Sequence, residues 1–195
     1  MTATMPALRD PGGDHLDVPA SRWFDAASAA EVRALADVRG PVLDIGCGPG
    51  RHVLALAQRG IPSLGIDITA AALRHARAKR VPVLERCVFG RVPGAGRWHS
   101  ALLLDGNVGI GGDPVLLLQR VRELLASDGR VLVETDATRT AATDLIRFDV
   151  DATPGPWFGW TAVAAAELPT VAHGAGFQLG RRWIDDGRHF AWLCA

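Results

Sequence analysis

The sequence predicts a doubly wound α/β fold. Three observations carry this. Short apolar segments that read as buried strands alternate with amphipathic segments of helical period, the glycine-rich turn "GCGPG" follows the first of those strands, and an Asp-Gly turn joins two alternating segments near the carboxyl end. Strands apolar on both faces and separated by helices belong to a parallel sheet covered on both sides and wound with right-handed crossovers. Asp-Gly between alternating segments is a hairpin signal, so the last strand should run antiparallel to the others.

Along the chain, residues 1–19 contain "DPGGD" and "DVPA" and read as an irregular segment, flexible or lid-forming. Residues 20–195 read as one domain, because 195 residues suffice for one well-buried core and are short for two. "SAAEVRALADV" is a helix with Ser28 as N-cap and Glu31 completing a capping box. "PVLDI" is the first strand, and "RHVLALAQRG" a helix that Gly60 terminates. "SLGID" is the second strand, followed by the helix "TAAALRHARAKR" with Thr69 as cap. "PVLERCVF" and "SALLLD" are the third and fourth strands. Asp113 and Pro114 then open the helix "PVLLLQRVRELLA", and "GRVLVET" is the fifth strand. From Asp136 to Trp160, through "TPGPWFGW", no period is visible and the segment reads as a loop or lid. A helix at "LPTVAHGA" and the strands "FQLGRRWI" and "HFAWLCA" complete the chain.

Lys+Arg and Asp+Glu balance at 21 each, so no basic face is implied for a nucleic-acid backbone. Cys47, Cys87 and Cys194 form no CxxC pair and follow no secretory signal, which suits free thiols in a cytoplasmic protein. The longest apolar runs, such as "VLLL", are too short to span a bilayer.

In an open parallel sheet, ligands bind beyond the carboxyl ends of the strands, where strand order reverses. Glycines there let the backbone turn and approach a ligand, and the next helix offers unpaired N–H groups. Spacing selects the ligand. A dinucleotide fingerprint starting at Gly46 needs glycine at 51, where Arg51 stands, and the third glycine is Gly50 instead. That disfavours a nicotinamide oxidoreductase. A second acid, Asp67, ends the second strand 23 residues after Asp44, where a carboxylate can accept both hydroxyls of a ribose.

An acid, G-x-G-x-G and a strand-terminal acid together resemble the class I S-adenosylmethionine-dependent methyltransferases, and the resemblance runs from about Trp23 to the end. Asp44, Gly46, Cys47, Gly48 and Gly50 match the family's first motif, and Asp67 its ribose-binding acid. The resemblance implies a Rossmann-like sandwich with a seven-stranded, mostly parallel sheet whose last strand inserts antiparallel between the fifth and sixth. It also implies a methyltransferase with S-adenosyl-L-methionine as cofactor. Ile68 and Val88, with Phe89, would clamp the adenine. Cys87 stands where many members carry an acid, leaving backbone amides near Cys87 and Val88 for the adenine amino group. His52 begins the helix beside the glycine loop, and Asp105 and Asn107 fall beside the methionine end of the cofactor or at the mouth of the acceptor site.

Amino-directed nucleic-acid methyltransferases of this fold carry [DNS]-P-P-[YF] after the fourth strand. Here that place reads "DGNVGIGGD" and the chain has no tyrosine, so the expected acceptor is a small molecule, with neither nucleic acid nor membrane as partner. Trp23, Asn107, Trp157 and Trp160 are the candidate acceptor contacts, with Phe24 and Phe158 beside them. The same aromatics equally suit a dimer contact, which leaves monomer and homodimer both open. Should the acceptor lose a proton, the candidate bases in order are His189, Asp105 and His15, and no metal ligand set is evident. Lys79 is the sole lysine in an arginine-, alanine- and glycine-rich chain, the bias of a GC-rich genome, which motivates an expectation of secondary-metabolite tailoring. The rival reading is a non-methylating protein on the same scaffold, a cyclase or lyase or a cofactor-binding protein alone.

Overall fold

The structure, a computed structural model, describes residues 6–14, 20–137 and 143–195. In chain order the strands are β1 (Ala7–Arg9), β2 (Val42–Ile45), β3 (Ser63–Asp67), β4 (Val83–Glu85), β5 (Trp98–Leu103), β6 (Leu125–Thr135), β7 (Thr143–Asp149), β8 (Trp157–Thr161), β9 (Gln178–Asp185) and β10 (Arg188–Cys194). The helices are α1 (Ala29–Ala34), α2 (Arg51–Gln58), α3 (Ala70–Ala78), α4 (Pro114–Leu124) and α5 (Leu168–Gly174).

Seven strands form the main sheet in the order β4-β3-β2-β5-β6-β10-β9. The pairs from β4 to β6 are parallel, and β10 is antiparallel to both β6 and β9. The doubly wound expectation and the inserted antiparallel last strand are therefore correct. The β9–β10 hairpin turns on Asp186 and Gly187, both at positive φ (52° and 70°), as a two-residue type I′ turn requires.

Alternation along the central strands builds two cores. Leu43, Ile45, Ala101, Leu103, Val131 and Val133 face α4 and α5, which contribute Leu117, Leu118, Val121, Leu168 and Ala172. Val42, Leu102, Leu104 and Leu132 face the other way, onto Leu35 and Leu56 beside α1 and α2. Both faces are dry, which is why these strands read as unbroken apolar runs. The caps follow the sequence: Ser28 and Glu31 close a reciprocal capping box on α1, and the Asp113 carboxylate accepts from the Leu116 N–H at the start of α4.

The stretch from Asp136 to Trp160 is not a loop. It supplies β7 and β8, which with β1 form a second, antiparallel sheet in the order β1-β7-β8. The expected irregular segment 1–19 thus contains an ordered strand, while residues 1–5 and 15–19, with His15, lie outside the described residues. Leu8, Ile146, Phe148 and Val150 form the inner face of this small sheet and pack with Ala71 and Ala72 of α3 and with Trp23, Phe24, Phe158 and Trp160.

The small sheet is bolted to the turn after β5. The Gly111 N–H donates to Gly159 O at 2.8 Å, Thr161 Oγ1 donates to Gly112 O at 2.7 Å, and Trp160 Nε1 donates to Gly106 O at 3.1 Å. A Cβ on Gly109 would stand 1.8 Å from Thr161 O, so no other residue fits there. Among the described residues, no helix is long and apolar enough to cross a membrane.

Candidate functional site

A cavity opens beyond the carboxyl ends of β2, β3 and β5, between the glycine loop and the inner face of the small sheet. It holds about 1050 Å³ of empty space, its open mouth included. Three groups of residues build it.

The first is the loop after β2. Gly46 and Gly48 have φ of 72° and 51°, values that favour glycine. A Cβ on Gly46 would strike Asn107 Nδ2 at 2.7 Å, and that amide donates to Ile45 O and Gly46 O, bracing the loop. A Cβ on Gly48 would meet nothing within 4 Å, because it would project into the cavity. The Gly48 N–H donates to Asp67 Oδ2 at 2.8 Å, and the Thr69 N–H donates to Asp67 Oδ1 at 2.7 Å. Burial pushes the Asp67 carboxyl up, against these two bonds.

The second group is a buried ionic cluster at the floor. Arg51 donates to Glu31 Oε1 at 2.6 Å and to both oxygens of Asp105 at 2.7 and 2.6 Å. Arg188 bridges Glu134 at 2.6 Å, Glu31 at 2.8 Å and Asp105 at 3.5 Å, and Arg22 reaches Asp105 at 3.0 Å. His52 lies between Glu31 (3.3 Å) and Asp44 (3.8 Å). Burial disfavours its charged form, but the Asp44 and Glu31 carboxylates outweigh this and raise its pKa to about 9. Against the cost of burial, His52 and Arg51 hold the Glu31 carboxyl well below its usual range, and Arg51, His52 and Arg22 lower that of Asp105. Glu31, His52 and Asp105 place ligand atoms within 4.8 Å of one another. A divalent cation there would face the guanidiniums of Arg51 and Arg188, so the set is an ion-pair cluster and not a metal centre.

The cluster sets a pH dependence. His52 has a folded-state pKa raised above the unfolded value of about 6.5. Its contribution is therefore fully present below about pH 6.5 and lost as the pH rises through about 9. That contribution is on the order of 3 kcal/mol. Thermal unfolding of the wild type should weaken from neutral to alkaline pH, and His52→Gln should flatten that limb. Equal alkaline loss in both proteins would assign it to another group.

The third group is apolar: Ile68, Val88 and Phe89 on one side, and Leu8, Trp23, Ile146, Phe148, Phe158 and Trp160 on the other. Of the residues expected from sequence, Gly46, Cys47, Gly48, His52, Asp67, Ile68, Cys87, Val88, Asp105, Asn107, Trp23 and Trp160 do line the cavity.

Others do not. Asp44 is buried beneath the loop, beside His52. Gly50 turns away from the cavity; a Cβ there would press on Ala76 and Val81 at 3.0 and 3.2 Å, so this glycine serves the packing of α2 against α3. Trp157 points outward, because strand alternation puts Phe158 and Trp160 on the inner face, and the Arg147 guanidinium covers it at 4.8 Å.

His189 is also displaced. It pairs with Thr135 and borders a separate groove with Trp183 and Ile184, while its neighbour Arg188 enters the ionic cluster. Asp105 is in the cavity but is engaged by Arg51 and Arg22, which makes it a poor base. The sequence reading missed Glu134 and Arg188, saw Glu31 only as a capping-box acid, and saw Arg51 only as the residue standing where a dinucleotide fingerprint needs glycine.

A sequence model described as a methyltransferase domain matches residues 42–89, the segment that holds the glycine loop, Asp67 and the β4 end. Similar solved structures include a SAM-dependent methyltransferase from Bacteroides fragilis in complex with S-adenosyl-L-homocysteine. It has TM-score 0.80 and 21% identity, covering 98% of this chain and 88% of that one. An amino pentose methyltransferase from Micromonospora echinaspora, SAM-bound and involved in calicheamicin biosynthesis, has TM-score 0.58 and 20% identity over 88% of this chain and 91% of that one. The 1,6-didemethyltoxoflavin-N1-methyltransferase of Burkholderia thailandensis has TM-score 0.58 and 19% identity over 88% and 79%. Its strand order and inserted antiparallel strand give the chain the fold of these S-adenosylmethionine-dependent methyltransferases, and residues 42–89 within it match the methyltransferase-domain model.

Proposed function

We propose that the protein is an S-adenosylmethionine-dependent methyltransferase acting on a small molecule. The observation that carries this is the junction of Gly48 and Asp67: a side-chain-free loop pinned to a strand-terminal carboxylate at the cavity edge. Each Asp67 oxygen keeps lone-pair capacity beyond its one backbone bond, enough to accept ribose hydroxyls. Ile68, Val88 and Phe89 offer an apolar slot for a purine. Arg51 and His52 present positive charge and Asp105 negative charge at the floor, a match for a zwitterionic amino-acid end.

When bound, the cofactor supplies an electrophilic methyl group on a sulfonium. The chain's part is to hold the acceptor in line and to exclude water with the small sheet. Neither floor group suits proton abstraction at neutral pH: His52 stays protonated to about 9, and Asp105 is held ionised by its guanidinium partners. Positioning therefore does most of the work, and the acceptor atom brings an available lone pair. Two similar structures are small-molecule methyltransferases, one of them from calicheamicin biosynthesis, which supports a tailoring role in secondary metabolism.

Calorimetry with S-adenosylmethionine, S-adenosylhomocysteine and NAD tests the cofactor. Binding of the first two and not the third is expected, and Asp67→Ala should weaken it by about 1.5–3 kcal/mol, the worth of hydrogen bonds to a charged group. No binding to folded wild type, or unchanged affinity in the variant, would overturn the reading. Release of S-adenosylhomocysteine with candidate acceptors separates methyl transfer from cofactor binding alone.

A further inference from the structure

Resting on that reading, we propose that Arg120 is a positioning residue for the base of the cofactor. By holding two carbonyls of the turn after β4, it leaves that turn with N–H groups to offer, and so selects a purine that presents a ring-nitrogen acceptor.

The turn runs from Cys87 to Gly90 and is closed by the Gly90 N–H, which donates to Cys87 O at 3.0 Å. Cys87, Val88 and Phe89 line the cavity, and the Arg86 N–H just before them donates to Asp67 O, so the turn stands beside the strand end that carries Asp67. Arg120 reaches it from α4. Its Nε donates to Val88 O at 3.0 Å and its Nη2 to Gly90 O at 2.7 Å, while Nη1 is paired with Glu123 three residues along the helix. A guanidinium is a rigid planar fork, so these two bonds set the orientation of two peptide groups at once.

What the turn can still offer decides what it recognises. The carbonyls of Cys87, Val88 and Gly90 are engaged, whereas the N–H groups of Cys87, Val88 and Phe89 find no acceptor among the described residues. In a trans peptide the N–H points opposite to the carbonyl, so the bond from Arg120 to Val88 O aims the Phe89 N–H away from α4. Cys87 is exposed and Phe89 is 40% exposed, which leaves the turn open to a ligand. A purine carries ring nitrogens that accept hydrogen bonds, the complement of such a surface.

The turn has other anchors, so removing Arg120 frees its peptide planes without unseating it. The Val88 side chain lies in the core that α4 also enters, with Leu117 and Val121. The Phe89 ring lies against Gly111, where a Cβ would meet it at 2.6 Å.

The test measures binding of S-adenosylhomocysteine and of its 1-deaza, 3-deaza and 7-deaza analogues, each with one ring nitrogen replaced by C–H, by competition calorimetry on the full chain. In the wild type at least one replacement should cost roughly fivefold or more in affinity. In Arg120→Met that penalty should shrink to within about twofold, because the donor is no longer aimed, and S-adenosylhomocysteine itself should bind roughly fivefold more weakly. A merely structural role would weaken all four ligands by one factor and leave the penalty as it was. Arg120→Lys keeps the charge beside Glu123 without the planar fork. It should also shrink the penalty, and it carries the test if urea titration shows the methionine variant unfolded. No penalty for any analogue in the wild type, or an undiminished penalty in either folded variant, would overturn the proposal. Failure of S-adenosylhomocysteine to bind the wild type would strike the methyltransferase reading itself, and this inference with it.

Discussion

Arg51→Met should lower the unfolding free energy by about 3–5 kcal/mol, the cost of breaking a buried ion pair by removing one partner. Arg51 is 5% exposed and Glu31 2%, and the guanidinium spans the gap between Glu31 and Asp105. Methionine fills much of the volume but leaves two carboxylates facing each other with one cation fewer. Arg188, His52 and Arg22 still touch them, which keeps the loss near the lower end of the range. Glu31→Gln in the Arg51→Met background should recover part of it, because the remaining cations then balance the remaining acids. Urea unfolding of the four proteins of that cycle is the measurement. A loss under about 1 kcal/mol, the scale of an exposed pair, would mean that solvent reaches the cluster and that it is no rigid floor.

Arg51 also shows where sequence reading stops. Its position at the start of α2 puts a positive charge at the positive end of the helix dipole, which nothing local favours. The reason is Glu31, twenty residues earlier, together with Asp105, Glu134 and Arg188 on three other segments. Such a cluster has no spacing signature, because it forms only when the sheet brings β2, β5, β6 and β10 side by side. The glycine loop and Asp67 were legible because the chain must fold back on itself within one strand–helix–strand unit, and local spacing encodes that. The two-sided strands were legible for the same reason.

The small sheet was partly written in the sequence. Ile146, Phe148 and Val150 alternate as a half-buried strand should, yet Leu145 and the outward Trp157 blur the period. What stabilises β7 and β8 is not local. The partner β1 is three residues long, and nothing local to the glycines at 106, 109, 111 and 112 shows that β8 is seated on them. His189 was misplaced for a related reason. The hairpin lies at the end of the sheet that carries the ionic cluster, but one residue of register decides which side chain enters that cluster, and it is Arg188.

Gly48→Val should abolish cofactor binding, with an affinity loss of at least about 100-fold, or 2.7 kcal/mol. The valine methyls would occupy space that no protein atom uses, since a Cβ at Gly48 has no neighbour within 4 Å, and that space is the cavity. The substitution also puts a β-branched residue at φ 51°, a backbone cost of about 1–2 kcal/mol that threatens the fold. Gly60→Val controls for it. Gly60 lies past the far end of α2, at φ 69°, also with nothing within 4 Å of a Cβ, but exposed and outside the cavity. Both variants should lose similar stability in urea unfolding, while S-adenosylhomocysteine affinity by calorimetry should vanish in Gly48→Val and stay within about twofold of wild type in Gly60→Val. Retained affinity in a folded Gly48→Val protein would show that the ligand avoids the loop, and Asp67 would then have to hold it without the backbone beside it. Loss of affinity in both variants would instead trace binding to the overall stability of the β2–α2 unit, and the side-chain-free surface would cease to be the reason for glycine at position 48.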